Sequence, residues 1–246
     1  IEAMRTFEGV TILEAMGRNA GWLTASASLG KRHEGEAPHL IYLPERVFDE
    51  EQFLQDVRQV HRELGWVFVV VSQGIHDEAG EIVGTRSAAM AVDDFGHRGM
   101  GHASGAASYL SELVGAEMGV KARFLRPSLI GRCFMSCVSR ANQAEAYAVG
   151  RMAVKHMIEG RSGQIVTLVR DPSPPYNCTT GLAPLEQVAN QEKVLPDEYI
   201  NSAGNFVSRE FRVYAEPLLG DPLPTYARLA DIAVQRRGRA AQEAGI

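Results

Sequence analysis

The sequence predicts an α/β fold, a three-layer sandwich on a largely parallel sheet. Short apolar runs alternate with stretches of helical periodicity over roughly the first two-thirds of the chain. The most apolar run, Trp66–Val71 (WVFVVV), is hydrophobic on both faces, which suits a central parallel strand covered by helices.

Each element follows from local chemistry. Val10–Leu13 reads as a strand and Gly21–Gly30 as a helix. His39–Leu43 (HLIYL) reads as the second strand. Asp49 is placed as an N-cap for a helix that sets Phe53, Val57, Val60 and Leu64 on one stripe, and Gly65 ends it as a C′ glycine. A polar loop from His76 to Gly101, with the glycine-rich DFGHRGMG at Asp94–Gly101, leads into a helix over Ala103–Met118. Lys121–Leu125 reads as a strand. Gln143–Ile158 is a helix with Ala146, Val149, Gly150, Ala153, Val154, Met157 and Ile158 on one side. Gly163–Val169 (GQIVTLV) is a further strand. PSPPYN, Pro172–Asn177, then breaks regular structure, and short helical pieces follow at Pro184–Gln191 and Thr225–Ile232. The texture divides the chain into an α/β domain over 1–171 and a helical and loop extension over 172–246.

Composition narrows the function. The 246 residues carry a net charge of −5, which argues against a nucleic-acid groove. No apolar run approaches the ~20 residues needed to span a bilayer, so no membrane partner is expected. Three cysteines (Cys133, Cys137, Cys178) make a disulfide framework unexpected and suit a reducing cytoplasm. Cys133 and Cys137 have no second close pair to complete a metal set. His97 and His102 lack a ligand partner at helical spacing, so no metal residue is assigned. The first residue is isoleucine, which suggests a fragment, a processed product or a missing start.

The chemistry concentrates after the first strand. Met16-Gly17-Arg18, followed by Gly21, joins a strand to a helix, where α/β proteins bind ligands. Glycines admit close backbone approach, N–H groups attract anions, and arginine adds a planar charged fork. The same residues also fit a plain packing role with Arg18 in solvent. Arg123, Arg126 and Arg132 form a second set that could converge on a phosphate, or lie scattered on the surface. Gln73, just past the most apolar strand, is placed to bind a sugar hydroxyl or simply to turn the chain.

Residue by residue, the chain resembles the phosphofructokinases. MGRNAGW (Met16–Trp22) is similar to that family's fructose 6-phosphate motif. GEAPHLIYLPE (Gly35–Glu45) and VFVVVSQGI (Val67–Ile75) are similar to the next two strands. Arg123 and Arg132 stand nine apart, as the family's phosphate-gripping arginines do, and SRANQAEAYAVGRMAV (Ser139–Val154) resembles the helix after them. APH-I-LPE and GRCFMSCVS most resemble the pyrophosphate-dependent branch. The resemblance implies a phosphotransferase acting on the 1-hydroxyl of fructose 6-phosphate, with pyrophosphate or ATP as donor, magnesium as cofactor and a homo-oligomeric state. It implies backbone contacts from Met16 and Gly17, a catalytic role for Arg18 on the transferring phosphoryl group, substrate contact by Gln73, and a grip on the 6-phosphate by Arg123 and Arg132.

The chain departs from the family pattern at several positions. Gln73 stands where the family has Glu, Leu129 replaces a His of many ATP-dependent members, Gly131 replaces a Gln, and Asn142 an Asp. The donor loop (GGDG-like) and the TIDND-like segment with the aspartate base do not occur in these residues. The chain alone is therefore expected to lack the base, and the ligands for magnesium are expected outside it. A non-catalytic sugar-phosphate-binding or regulatory subunit is the alternative.

Overall fold

The computed structural model describes residues 8–85, 91–92, 98–99 and 105–225. Four parallel strands form its main sheet: β1 (Val10–Ala15), β2 (Leu40–Tyr42), β3 (Val67–Ser72) and β6 (Ala122–Leu125), in the order β2-β3-β1-β6. The WVFVVV run lies between β2 and β1, as its two apolar faces require. Between β3 and β6 the chain makes a short antiparallel pair, β4 (Ala91–Val92) with β5 (Arg98–Gly99).

The period-2 alternation of each strand feeds two cores. Val10, Ile12, Leu40, Tyr42, Val67, Val69 and Val71 point to one face. There they meet Phe53, Leu54 and Val57 of α2 (Glu50–Leu64) and Leu110 and Val114 of α3 (Ala106–Met118). Helix α2 is bounded as its sequence predicts. Asp49 accepts from Gln52 N–H at 2.9 Å, and Gly65 at φ +76° closes the end by donating to His61 C=O. On the other face Ile41, Leu43 and Val70 pack with Ala25, Leu195, Ile200, Val207, Phe211 and Ala215. This second layer includes α1 (Trp22–Ser26) and α7 (Arg209–Ala215). The three-layer α/β arrangement thus surrounds the parallel sheet.

Three expectations change. The helix over 21–30 is five residues of α-helix followed by a 3₁₀ turn at Ala27–Gly30. The Ser26 hydroxyl donates to Leu23 C=O at 2.6 Å, offering the backbone a local alternative to helix. The strand over 163–169 does not join the parallel sheet. As β7 (Gln164–Arg170) it pairs antiparallel with β8 (Cys178–Pro184), which sequence reasoning missed. The connector, 171–177, is too short for a parallel crossover, and Asp171 N–H donates to Asn177 C=O at its base. The helix over 184–191 shortens to α6 (Leu185–Val188). Helix α5 (Arg140–Ile158) precedes the hairpin, and a single turn, α4 (Ile130–Cys133), follows β6. The helical piece over 225–232 and most of DFGHRGMG lie outside the described residues.

Candidate functional site

The loop after β1 is held by the loop after β3. Ser72 is fully buried, and its hydroxyl donates to Gly17 C=O while accepting from Gly74 N–H at 3.3 Å. Gln73 N–H donates to Ala15 C=O at 3.1 Å, which brings Gln73 alongside the end of β1. The loops touch so closely that a Cβ on Gly74 would overlap the Arg18 backbone. Gly17 sits at φ +131°, a conformation that favours glycine, and a Cβ there would stand 2.7 Å from Ala20 C=O. Met16, Gly17, Arg18 and Gln73 are all half-buried at the carboxyl ends of β1 and β3.

The far side of the loop is fixed from two directions. Glu45, just past β2, accepts from Gly21 N–H at 2.7 Å and from Leu195 N–H at 2.8 Å. The Trp22 indole donates to Lys193 C=O at 2.6 Å, and its ring lies 6.0 Å from Tyr199 and 5.4 Å from Tyr214. Asn19 donates to Glu192. Residues 190–215 therefore back the cradle and close it against the second core.

The arginines divide differently. The register sets Arg123 opposite Thr11, four residues before Ala15, so its backbone lies roughly 13 Å short of the strand's end at a rise of ~3.3 Å per residue. Its side chain is exposed on the edge strand. Arg132 is exposed on α4. The arginine at the carboxyl end is Arg126, half-buried, with its Nε 2.9 Å from Glu14 Oε1. The sequence offers Arg126 only as one of three arginines that could converge on a phosphate, and the structure instead pairs it with Glu14. Sequence reasoning passed over Ser72 and Glu45, although the signal that selected Gln73, a polar side chain just past a buried parallel strand, applies to both.

The family profile described as phosphofructokinase matches residues 2–135. The chain belongs to the phosphofructokinase family. Within the family it is 37% identical over 237 residues to the pyrophosphate–fructose 6-phosphate 1-phosphotransferase of Xanthomonas campestris pv. campestris (strain B100), covering 93% of this chain and 56% of that protein. It is 34% identical over 201 residues to a sulfofructose kinase of Alkalicoccus urumqiensis, covering 81% of this chain and 50% of that protein. Among solved structures, the pyrophosphate-dependent phosphofructokinase of Marinobacter aquaeolei superposes with a TM-score of 0.74 at 31% identity, covering 97% of this chain and 58% of that one. The chain spans about half the length of the curated relatives it matches.

Among the described residues no group of three or more His, Cys, Asp or Glu side chains is placed to hold a metal ion. No helix among them is long and apolar enough to cross a membrane.

Proposed function

We propose that this chain supplies the sugar-phosphate side of a phosphoryl transfer from pyrophosphate to the 1-hydroxyl of fructose 6-phosphate. The observation that carries the reading is the cradle: a glycine-hinged loop pinned by Ser72, presenting half-buried Arg18 at the carboxyl end of the sheet. Similarity to the Xanthomonas pyrophosphate–fructose 6-phosphate 1-phosphotransferase supports pyrophosphate over ATP as donor.

In this reading Met16 and Gly17 hold the sugar phosphate through their backbone, and Gln73 hydrogen-bonds a sugar hydroxyl through its amide. Arg18 neutralises charge on the phosphoryl group in flight, as a fixed guanidinium in a partly desolvated site can. Arg123 and Arg132 bind the 6-phosphate. Their exposure fits a homo-oligomer in which the two act at the edge of an assembled site. Residues 1–171 are assigned to the sugar-phosphate domain and 172–246 to an extension; of the extension's described residues, Leu195, Ile200 and Phe211 pack against Ile41 and Val70, while the β7–β8 hairpin spans the boundary. A cytoplasmic location follows from the same assignment. No residue here is assigned as the base.

Calorimetric titration of fructose 6-phosphate tests the reading. Wild type is expected to bind, and Arg132→Ala to bind about 10- to 100-fold more weakly, the range for losing a hydrogen bond to a charged group. Absence of binding to a folded wild type overturns it. The purified 246-residue chain alone is expected to show no magnesium-dependent phosphorylation of fructose 6-phosphate, and turnover by it would overturn that expectation.

A further inference from the structure

Glu14 is a carboxylate at 4% exposure in the fifth position of β1. An ionised carboxylate taken out of water needs partners, and its contacts come from two other elements. Its Oε1 lies 2.9 Å from Arg126 Nε. Its Oε2 accepts from Arg126 Nη2 at 3.4 Å and from Ala107 N–H, in the first turn of α3, at 3.1 Å. Gly105 closes the remaining side: a Cβ there would run into Arg126 Nη2 and stand 2.7 Å from Glu14 Oε2.

The place of this pair in the topology matters. The chain enters the sheet at β1, winds out to β2, returns through β3 and then crosses to β6. The connection leaving β1 runs to one face of the sheet and the one leaving its neighbour β3 to the other, so the chain diverges at the carboxyl ends of β1 and β3, with β6 on the far side of β1. From Glu14 the chain runs two residues to Met16 and the cradle. From Arg126 it runs six residues to Arg132, along a stretch, 127–138, in which every residue is exposed. That stretch is tied down again at Ser139, whose hydroxyl donates to Leu218 C=O. Arg126 is the anchored root of an arm that otherwise has little to hold it.

We propose that the Glu14–Arg126 pair is a positioning clamp that sets the cradle at Met16–Arg18 and the arm bearing Arg132 relative to one another. Its role at the fructose 6-phosphate site rests on the function proposed above. Neither residue touches substrate in this scheme. Glu14 acts through Arg126, and Arg126 acts through the backbone of the arm. The contact suits the task, because an ion pair at 2.9 Å with a hydrogen bond from Nη2 beside it, confined by Gly105, ties a half-buried guanidinium to a buried carboxylate.

Three variants test the clamp: Glu14→Gln, Gly105→Ala and Arg132→Ala. Glu14→Gln keeps an acceptor for Ala107 N–H but removes the charge. Gly105→Ala leaves both charges and pushes the fork aside. Circular dichroism establishes that each is folded. In the folded Glu14→Gln protein, amide hydrogen exchange is expected to rise about tenfold or more in both 16–21 and 127–138, with the amides of α2 unchanged. Fructose 6-phosphate affinity is expected to fall about tenfold, and that fall is expected to disappear when Glu14→Gln is placed in the Arg132→Ala background. Unchanged exchange in 127–138, or an equal fall in both backgrounds, overturns the clamp, because a merely structural pair weakens binding additively. If Glu14→Gln does not fold, Gly105→Ala carries the same two measurements. If the folded wild type does not bind fructose 6-phosphate, the substrate reading fails and the exchange data decide the clamp by themselves.

Discussion

Two stretches of this chain carry equally regular secondary structure and very different interiors. Residues 10–83 bury side chains on both faces of the sheet, whereas from 122 to 194 no residue is buried. Helix α2 puts Phe53 and Val57 fully out of solvent. Helix α5 is longer, 19 residues, and is capped in the same way, with Ser139 accepting from Asn142 N–H at 3.2 Å. Yet its stripe residues Val154, Met157 and Ile158 are 53%, 67% and 78% exposed. Caps and periodicity write a helix wherever they occur; a core requires a second surface. The open stretch carries apolar area that a soluble protein rarely leaves uncovered.

Truncation in the two regions gives the largest contrast. Phe53→Ala is expected to destabilise the chain by about 3–5 kcal/mol, because it leaves a cavity between α2, Tyr42 and Phe48. Met157→Ala is expected to change stability by under about 0.5 kcal/mol. Urea unfolding followed by far-ultraviolet dichroism measures both. Similar losses in the two variants would mean that α5 shares the cooperative core, and would break the comparison.

A polar change inside the packed region comes next. Ser72→Ala leaves Gly17 C=O and Gly74 N–H without their shared hydroxyl. The expected cost is about 1–3 kcal/mol, the range for orphaning buried polar groups, read as a lower urea midpoint. A change within error would mean that the two loops meet by sterics alone.

Much of this was legible in the sequence, and the limits are instructive. The strand at 66–71, the Asp49 cap and the Gly65 stop were readable because each depends on residues within one turn or one pleat. The parallel sheet followed from alternation. Hairpin partner β8 was not readable, since Gly181 and Pro184 make it look like loop, and only pairing with β7 makes it a strand. In the loop after β1, Gly17 was readable by type and spacing as a position of close backbone approach, which its φ of +131° and the nearby Ala20 C=O bear out. Ser72 and Glu45 act through partners 55 and 24 residues away, and no local pattern reports such contacts. The Glu14–Arg126 pair, 112 residues apart, was hidden for the same reason.

Acid sharpens the comparison from another side. His39 is buried beside Trp66, with ring centroids 4.5 Å apart, and its Nδ1 accepts from Phe68 N–H at 2.9 Å. Burial pushes its pKa down to about 4, with Lys31 acting in the same direction and the Gly35 carbonyl opposing. The unfolded chain takes up a proton as pH falls through about 6.5. The folded chain does not do so until about 4. Stability is therefore expected to fall between about 6.5 and 4, by roughly 1–2 kcal/mol after solvent screening, and to level off below that range. His39→Gln should flatten the slope in urea midpoints taken at pH 7, 5.5 and 4.5. In the open region, His156 and Glu159 pair on the surface of α5, and the hydrogen bond from His156 lowers the Glu159 pKa. His156→Gln should leave the pH profile of unfolding as it is.

The smallest effect on stability comes from charging the open stripe. Met157→Lys and Ile158→Lys each place a cation where the side chain is already mostly in water, so the fold loses little: within about 0.5 kcal/mol. The change should show instead in what the surface attracts. A dye that fluoresces on exposed apolar surface is expected to bind wild type and to bind the double variant less, and self-association by light scattering should fall with it. Equal dye binding would place the sticky surface elsewhere among the exposed apolar residues, at Phe134 and Met135 on the arm or Leu168 and Val169 on the hairpin. A large loss of stability would instead show that the stripe is covered in solution, because only a buried position makes a lysine expensive.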